Sequence, residues 1–123
     1  MSREDLEGTI RALSNEFNIK PPKVVFVPNS IFLGYYVPAE DTIYLREDAT
    51  PGVAAHEFSH YLLDQYGATM SKNEEELFAQ EFEEWFTHSG SFFKCEVCGN
   101  SVPNIKPYTR CFTCGAEYKT RLM

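Results

Sequence analysis

No cysteine occurs in the first 94 residues of this 123-residue chain, so no disulfide can staple its body. No run approaches the roughly 18 consecutive apolar residues of a membrane-crossing helix, which argues against a membrane partner. Positive charge is scarce over residues 1–91, where six Lys and Arg stand against 16 Asp and Glu, a balance of −10. Such an acidic body disfavours nucleic acid as the main ligand. Internal repeats and low-complexity tracts are lacking, apart from two short cysteine knuckles near the C-terminus. The opening Met1-Ser2-Arg3-Glu4-Asp5 is acidic and polar, unlike a secretory leader, so a cytoplasmic protein is expected.

Histidine is also rare, with three in the chain, and two of them fall in one pattern. Val53-Ala54-Ala55-His56-Glu57-Phe58-Ser59-His60-Tyr61-Leu62-Leu63 contains H-E-x-x-H in an apolar setting. On a helix, residues four apart lie on one face a turn apart, so both imidazoles can bind one Zn²⁺. Glu57 then lies beside the metal's open side, where a general base is needed. Chance supplies this pattern in a chain of this length on the order of once in a few hundred. Burial of three ionisable groups is costly unless they are paired or hold a metal.

Around that stretch the periodicities alternate between helix and strand. Leu6, Ile10, Leu13 and Phe17 follow helical spacing over residues 3–17, and Pro21-Pro22 prevents continuation. Val24-Val25-Phe26-Val27 reads as a strand. Tyr35-Tyr36-Val37 and Thr42-Ile43-Tyr44-Leu45 read as two more, joined in a hairpin by Pro38-Ala39-Glu40-Asp41. Thr50 or Asp48 caps the metal-site helix, with Pro51 in its first turn and Gly67 past its end near Tyr66. Ser71-Lys72-Asn73-Glu74 has the form of a capping box and opens a second helix to about Thr87, with Phe78, Phe82, Trp85 and Phe86 as its buried stripe. The expected class is α+β, a small sheet packed on helices.

A catalytic zinc takes three protein ligands and keeps one position for water. After His56 and His60, the candidates for the third are Glu74, Glu75, Glu76, Glu81 and His88. His56-Glu57-Phe58-Ser59-His60, followed by a helix bearing Glu76-Leu77-Phe78-Ala79, resembles the gluzincin metallopeptidases, including the single-domain minigluzincins. That resemblance implies a zincin-like fold and a third ligand from the Glu of an E-x-x-A or E-x-x-S segment, here Glu76. In the family pattern apolar residues follow that Glu by two, six and nine positions. From Glu76 these are Phe78, Phe82 and Trp85, whereas from Glu74 they are Glu76, Gln80 and Glu83.

The last 32 residues differ in character, with a balance of +3 and all four cysteines, Cys95-x-x-Cys98 and Cys111-x-x-Cys114. Thiols stay reduced in a cytosolic setting, so the paired C-x-x-C reads as metal-binding. Two C-x-x-C-G turns complete a closed tetrahedral site without an open position, and its metal is structural. The module resembles a zinc ribbon, and so short a segment needs the metal to hold it together. The expected division is a metallopeptidase domain over residues 1–91 and a ribbon over 92–123, with one catalytic and one structural Zn²⁺. A ribbon and a His before it, here His88, also give a partial resemblance to SprT-like metallopeptidases.

The function these readings imply is peptide-bond hydrolysis, with Glu57 taking a proton from water activated by the zinc. The resemblance further implies a peptide or protein substrate laid along the edge strand before the active helix, assigned to Thr42, Ile43, Tyr44 and Leu45. Tyr35, Tyr36, Tyr44, His88 and Tyr108 are unranked candidates for oxyanion donor. The alternatives are a zincin-fold binding or regulatory protein with negligible turnover, and a protease acting near DNA through its basic tail.

Overall fold

The computed structural model describes residues 3–65, 71–88, 92–95, 97–99 and 101–103. Gly67, Tyr108, Cys111 and Cys114 lie outside the described residues. Helix α1 (Arg3–Glu16) carries Glu4 and Asp5 in its first turn, where the helix dipole favours acids, and buries Leu6, Ile10 and Leu13 at the expected spacing. Strands β1 (Lys23–Phe26), β2 (Gly34–Val37) and β3 (Thr42–Leu45) form one sheet. A 3₁₀ turn at Pro38–Glu40 links β2 to β3, and Asp41 closes it in the left-handed region at φ 50°. Helices α2 (Pro51–Gln65) and α3 (Lys72–His88) follow, then a hairpin of β4 (Phe92–Lys94) and β5 (Ser101–Pro103).

Strand order in the sheet is β1-β3-β2, with β1 parallel and β2 antiparallel to β3. Thr42–Leu45 therefore pairs on both sides, with Lys23–Phe26 along one edge and Gly34–Val37 along the other. This corrects the assignment of Thr42, Ile43, Tyr44 and Leu45 as the edge strand that takes substrate. Their backbone ladder is occupied by two neighbours, so among the described residues the outer strands of this sheet are β1 and β2.

The pleat sorts the side chains. Ile43 and Leu45 are fully buried, and Val24 and Phe26 pack beside them on the same face. Tyr44 alternates to the opposite face and stacks on Tyr35 at 4.8 Å. Rings of Phe17, Phe58 and Phe82 form a triangle with centroids 5.9–6.1 Å apart, joining the end of α1 to α2 and α3. Burying these rings supplies much of the apolar drive that clamps the helices together. The molecule is thus α+β, a three-stranded mixed sheet against three helices, with α2 central. Among the described residues no helix is long and apolar enough to cross a membrane.

Candidate metal centre

Helix α2 begins as its local chemistry dictates. The Val53 N–H donates to Thr50 Oγ1 at 3.2 Å, so Thr50 is the cap, and Pro51 occupies the first helical position. From this start Ala54, Ala55, Phe58, Leu62 and Leu63 reach the core, and His56 and His60 emerge together at its margin. Their ring centroids lie 5.4 Å apart at 62°. Each side chain is about one-sixth exposed, at 17% and 15%, which leaves room for a small ligand but little bulk water.

Helix α3 faces the pair. Its start is a reciprocal capping box: the Glu74 N–H donates to Ser71 Oγ at 3.2 Å, and the Ser71 N–H donates to Glu74 Oε1 at 3.1 Å. Those bonds hold the Glu74 carboxyl below the usual glutamate range and engage it away from the histidines. Glu76 points at both rings, with Oε1 3.0 Å from His56 Nε2 and Oε2 3.6 Å from His60 Nε2. Two further carboxylates take the other ring nitrogens. Glu83 lies 3.0 Å from His56 Nδ1, and Glu75 lies 2.7 Å from His60 Nδ1. His56 thus has a carboxylate within hydrogen-bond distance of each ring nitrogen. With a cation bound at Nε2, the carboxylate at Nδ1 would hold the proton there and leave the Nε2 lone pair to the metal.

The side chains of His56, His60 and Glu76 are of the types that ligate divalent metals, and they are near enough to share one ion. One donor atom each from His56, His60 and Glu76 falls within 4.8 Å of the others. Of the other candidate ligands, Glu75 serves His60 through Nδ1, and neither Glu81 nor His88 belongs to this group. His88 ends α3, where the dipole favours a cation.

Glu57 is 9% exposed, the most deeply buried carboxylate among the described residues. Burial raises its pKa above the ordinary 4.5; His56 and His60 oppose that shift, and the carboxylates of Glu76 and Glu83 reinforce it. The burial depends on Gly34. A Cβ there would meet Leu45 Cδ2 at 2.9 Å, Val53 Cγ1 at 3.1 Å and Glu57 Cγ at 3.2 Å, so only a glycine lets β2 lie this close to α2. Gly34 and Tyr36 share the helix side of β2, and the Tyr36 hydroxyl donates to Asp64 Oδ2 at 2.8 Å. Tyr44 donates instead to Glu40 on the far side of the sheet. A cavity of about 340 Å³ lies over the centre, lined by Tyr36, Glu57, His60, Asp64 and Glu75 among others.

The roles of Glu83 and Gly34 were not evident in the sequence. Glu83 carries a usable signal, since it follows Glu76 by seven residues and therefore shares its helix face. Gly34 carries none without the strand order.

The first cysteine knuckle is a turn folded around the sulfur of Cys95. N–H groups of Val97 and Cys98 both approach Cys95 Sγ at 3.4 Å. Gly99 adopts φ 78°, and its N–H donates to the Cys95 carbonyl at 2.9 Å. Comparison of the chain with protein-family models, curated proteins and solved structures finds no match.

Proposed function

We propose that this protein is a zinc-dependent peptide hydrolase of the zincin type, with a second, structural zinc held by the cysteine module. The observation that carries the reading is the division of labour around two imidazoles. Both Nδ1 atoms rest on their own carboxylates, and both Nε2 atoms turn to Glu76 beside a buried Glu57. Carboxylates on the outer nitrogens of two imidazoles whose inner nitrogens converge are the supporting arrangement that metal-ligating histidines use.

His56, His60 and Glu76 would hold the metal, which when bound polarises a carbonyl and acidifies water. Glu57 accepts the proton of the attacking water as the O–C bond forms. It then delivers that proton to the amide nitrogen as the C–N bond breaks. Its raised proton affinity suits both halves of that transfer. Substrate aligns by strand addition on β2, the outer strand next to α2 among the described residues, rather than on the doubly paired β3. Cys95 and Cys98 supply half of the structural site, and Cys111 and Cys114 are assigned the other half.

Metal analysis with two variants tests the reading. The wild type should carry about two zinc equivalents, and Glu76→Ala should lose one of them with the ribbon metal kept. Retention of both would remove Glu76 from the ligand set. Glu57→Gln should retain both metals and lose cleavage of a random peptide library by about 10²–10⁴-fold. If wild type and variant are equally inert, the protein is a zinc-bearing binding or regulatory module instead.

A further inference from the structure

The segment Ser30–Leu33 leads into β2 and is pinned at several points. The Arg46 N–H donates to the Leu33 carbonyl at 2.9 Å, and Arg46 Nη1 donates to the Ser30 carbonyl at 3.1 Å. Asp48 clamps the same guanidinium at 2.6 and 2.8 Å. The Phe32 N–H donates to Ser30 Oγ at 3.1 Å. On this fixed backbone three successive large apolar residues stand in water, Ile31 at 86%, Phe32 at 59% and Leu33 at 41% exposure. Single exposed apolar residues are ordinary, but a contiguous and held set marks a binding surface.

Two hollows meet at this loop. One of about 230 Å³ lies between Phe32, Leu33, Gly34 and Val53 and opens onto His56, Glu57 and Glu83. The other, about 530 Å³, is walled by Ile31, Phe32, Gly34 and Tyr35. Phe32 and Gly34 line both, so the two adjoin alongside the start of β2. Beyond Glu57 the cleft changes character, with Tyr36, His60, Asp64 and Glu75 around it. The groove past the candidate metal centre is therefore apolar on one side and polar on the other.

We infer that the Ile31–Leu33 loop is the specificity-determining wall of the site, taking one large apolar side chain of an extended peptide on a single side of the bond beside Glu57. The placement of that bond rests on the hydrolase reading. A peptide paired with the β2 edge sends alternate side chains to the same side, and the residue next to Glu57 toward the start of β2 meets Phe32. Because Arg46 already fixes the loop, little ordering opposes binding. A lysine at the same peptide position must lay its stem on the apolar wall and desolvate its ammonium there, a cost that the half-exposed Glu83 in the lining offsets only in part.

The probes are acetylated, amidated alanine hexapeptides, each with Phe at one position, together with the all-alanine peptide and Lys counterparts. Binding is measured by calorimetry on zinc-loaded, full-length Glu57→Gln protein, and cleavage on the wild type. Phe at one position should strengthen binding by about tenfold or more, with no gain from Lys there. Phe32→Ser and Ile31→Ser, both at exposed side chains, should each cut that gain severalfold, with zinc content and circular dichroism unchanged. A gain equal at every position, or one that survives both substitutions, overturns the inference. If the selective gain appears but wild type cleaves nothing, the hydrolase reading fails and the apolar wall stands. If wild type cleaves these peptides with no preference for Phe, the wall fails and the hydrolase stands.

Discussion

The two carboxylates at the Nδ1 atoms should set how tightly the metal is held. Glu83→Ala removes the partner of His56 Nδ1 at 3.0 Å, and Glu75→Ala removes that of His60 Nδ1 at 2.7 Å. A hydrogen bond to a charged group contributes roughly 1.5–3 kcal/mol. Both carboxylates are 41% exposed, so water and salt screen them and the lower end applies. About 1.4 kcal/mol is tenfold in an equilibrium constant, and orienting partners of this kind are typically worth about 10–100-fold in metal affinity. Each substitution should therefore weaken zinc binding about tenfold, and the pair by more than either alone but not by their simple product, since both rings face Glu76 and share one ion. Glu83→Gln should fall between, because its amide oxygen still accepts from Nδ1–H without the charge. The assay is competition against a chromophoric chelator, with Glu84→Ala as control for the loss of one negative charge from the same helix. Unaltered affinity in Glu83→Ala, or an equal loss in Glu84→Ala, would refute the orienting role.

Three other outcomes follow from the same geometry. Because burial raises the Glu57 pKa in the folded state, the chelated protein holds that proton more tightly than the unfolded chain does. Its contribution is therefore fully present below the ordinary value of 4.5 and is lost as pH rises through the raised value. Chelated Glu57→Gln should thus be more stable than chelated wild type at neutral pH and no more stable near pH 4, in urea titrations; parallel pH profiles would contradict this. Gly34→Val places branched carbon against Leu45, Val53 and Glu57, and should cost about 1–3 kcal/mol in the same titrations. Ser71→Ala removes the cap of α3; about 1 kcal/mol of stability should be lost, and zinc affinity should fall as well, since α3 carries Glu75, Glu76 and Glu83.

Local chemistry by itself determined the helices and their faces. The H-E-x-x-H spacing, the Thr50-Pro51 start, the Ser71/Glu74 box and the Phe78–Phe82–Trp85 stripe depend on residues within a few positions of one another. Period and capping are enough to read them, and Glu76 falls on the side of α3 that meets the histidines. The hairpin of β2 and β3 was legible for the same reason, because its turn is short and carries Pro38 and Asp41. Strand order was not. Backbone ladder bonds are alike for every sequence, so nothing within Thr42–Leu45 states that Lys23–Phe26 returns to its far side as a parallel partner. Only the tertiary structure made β3 central and put β1 and β2 on the outside among the described residues. It also decided which carboxylate serves which nitrogen, because Glu75, Glu76 and Glu83 acquire their distinct roles only when α3 is packed across α2 by the Phe58–Phe82 contact.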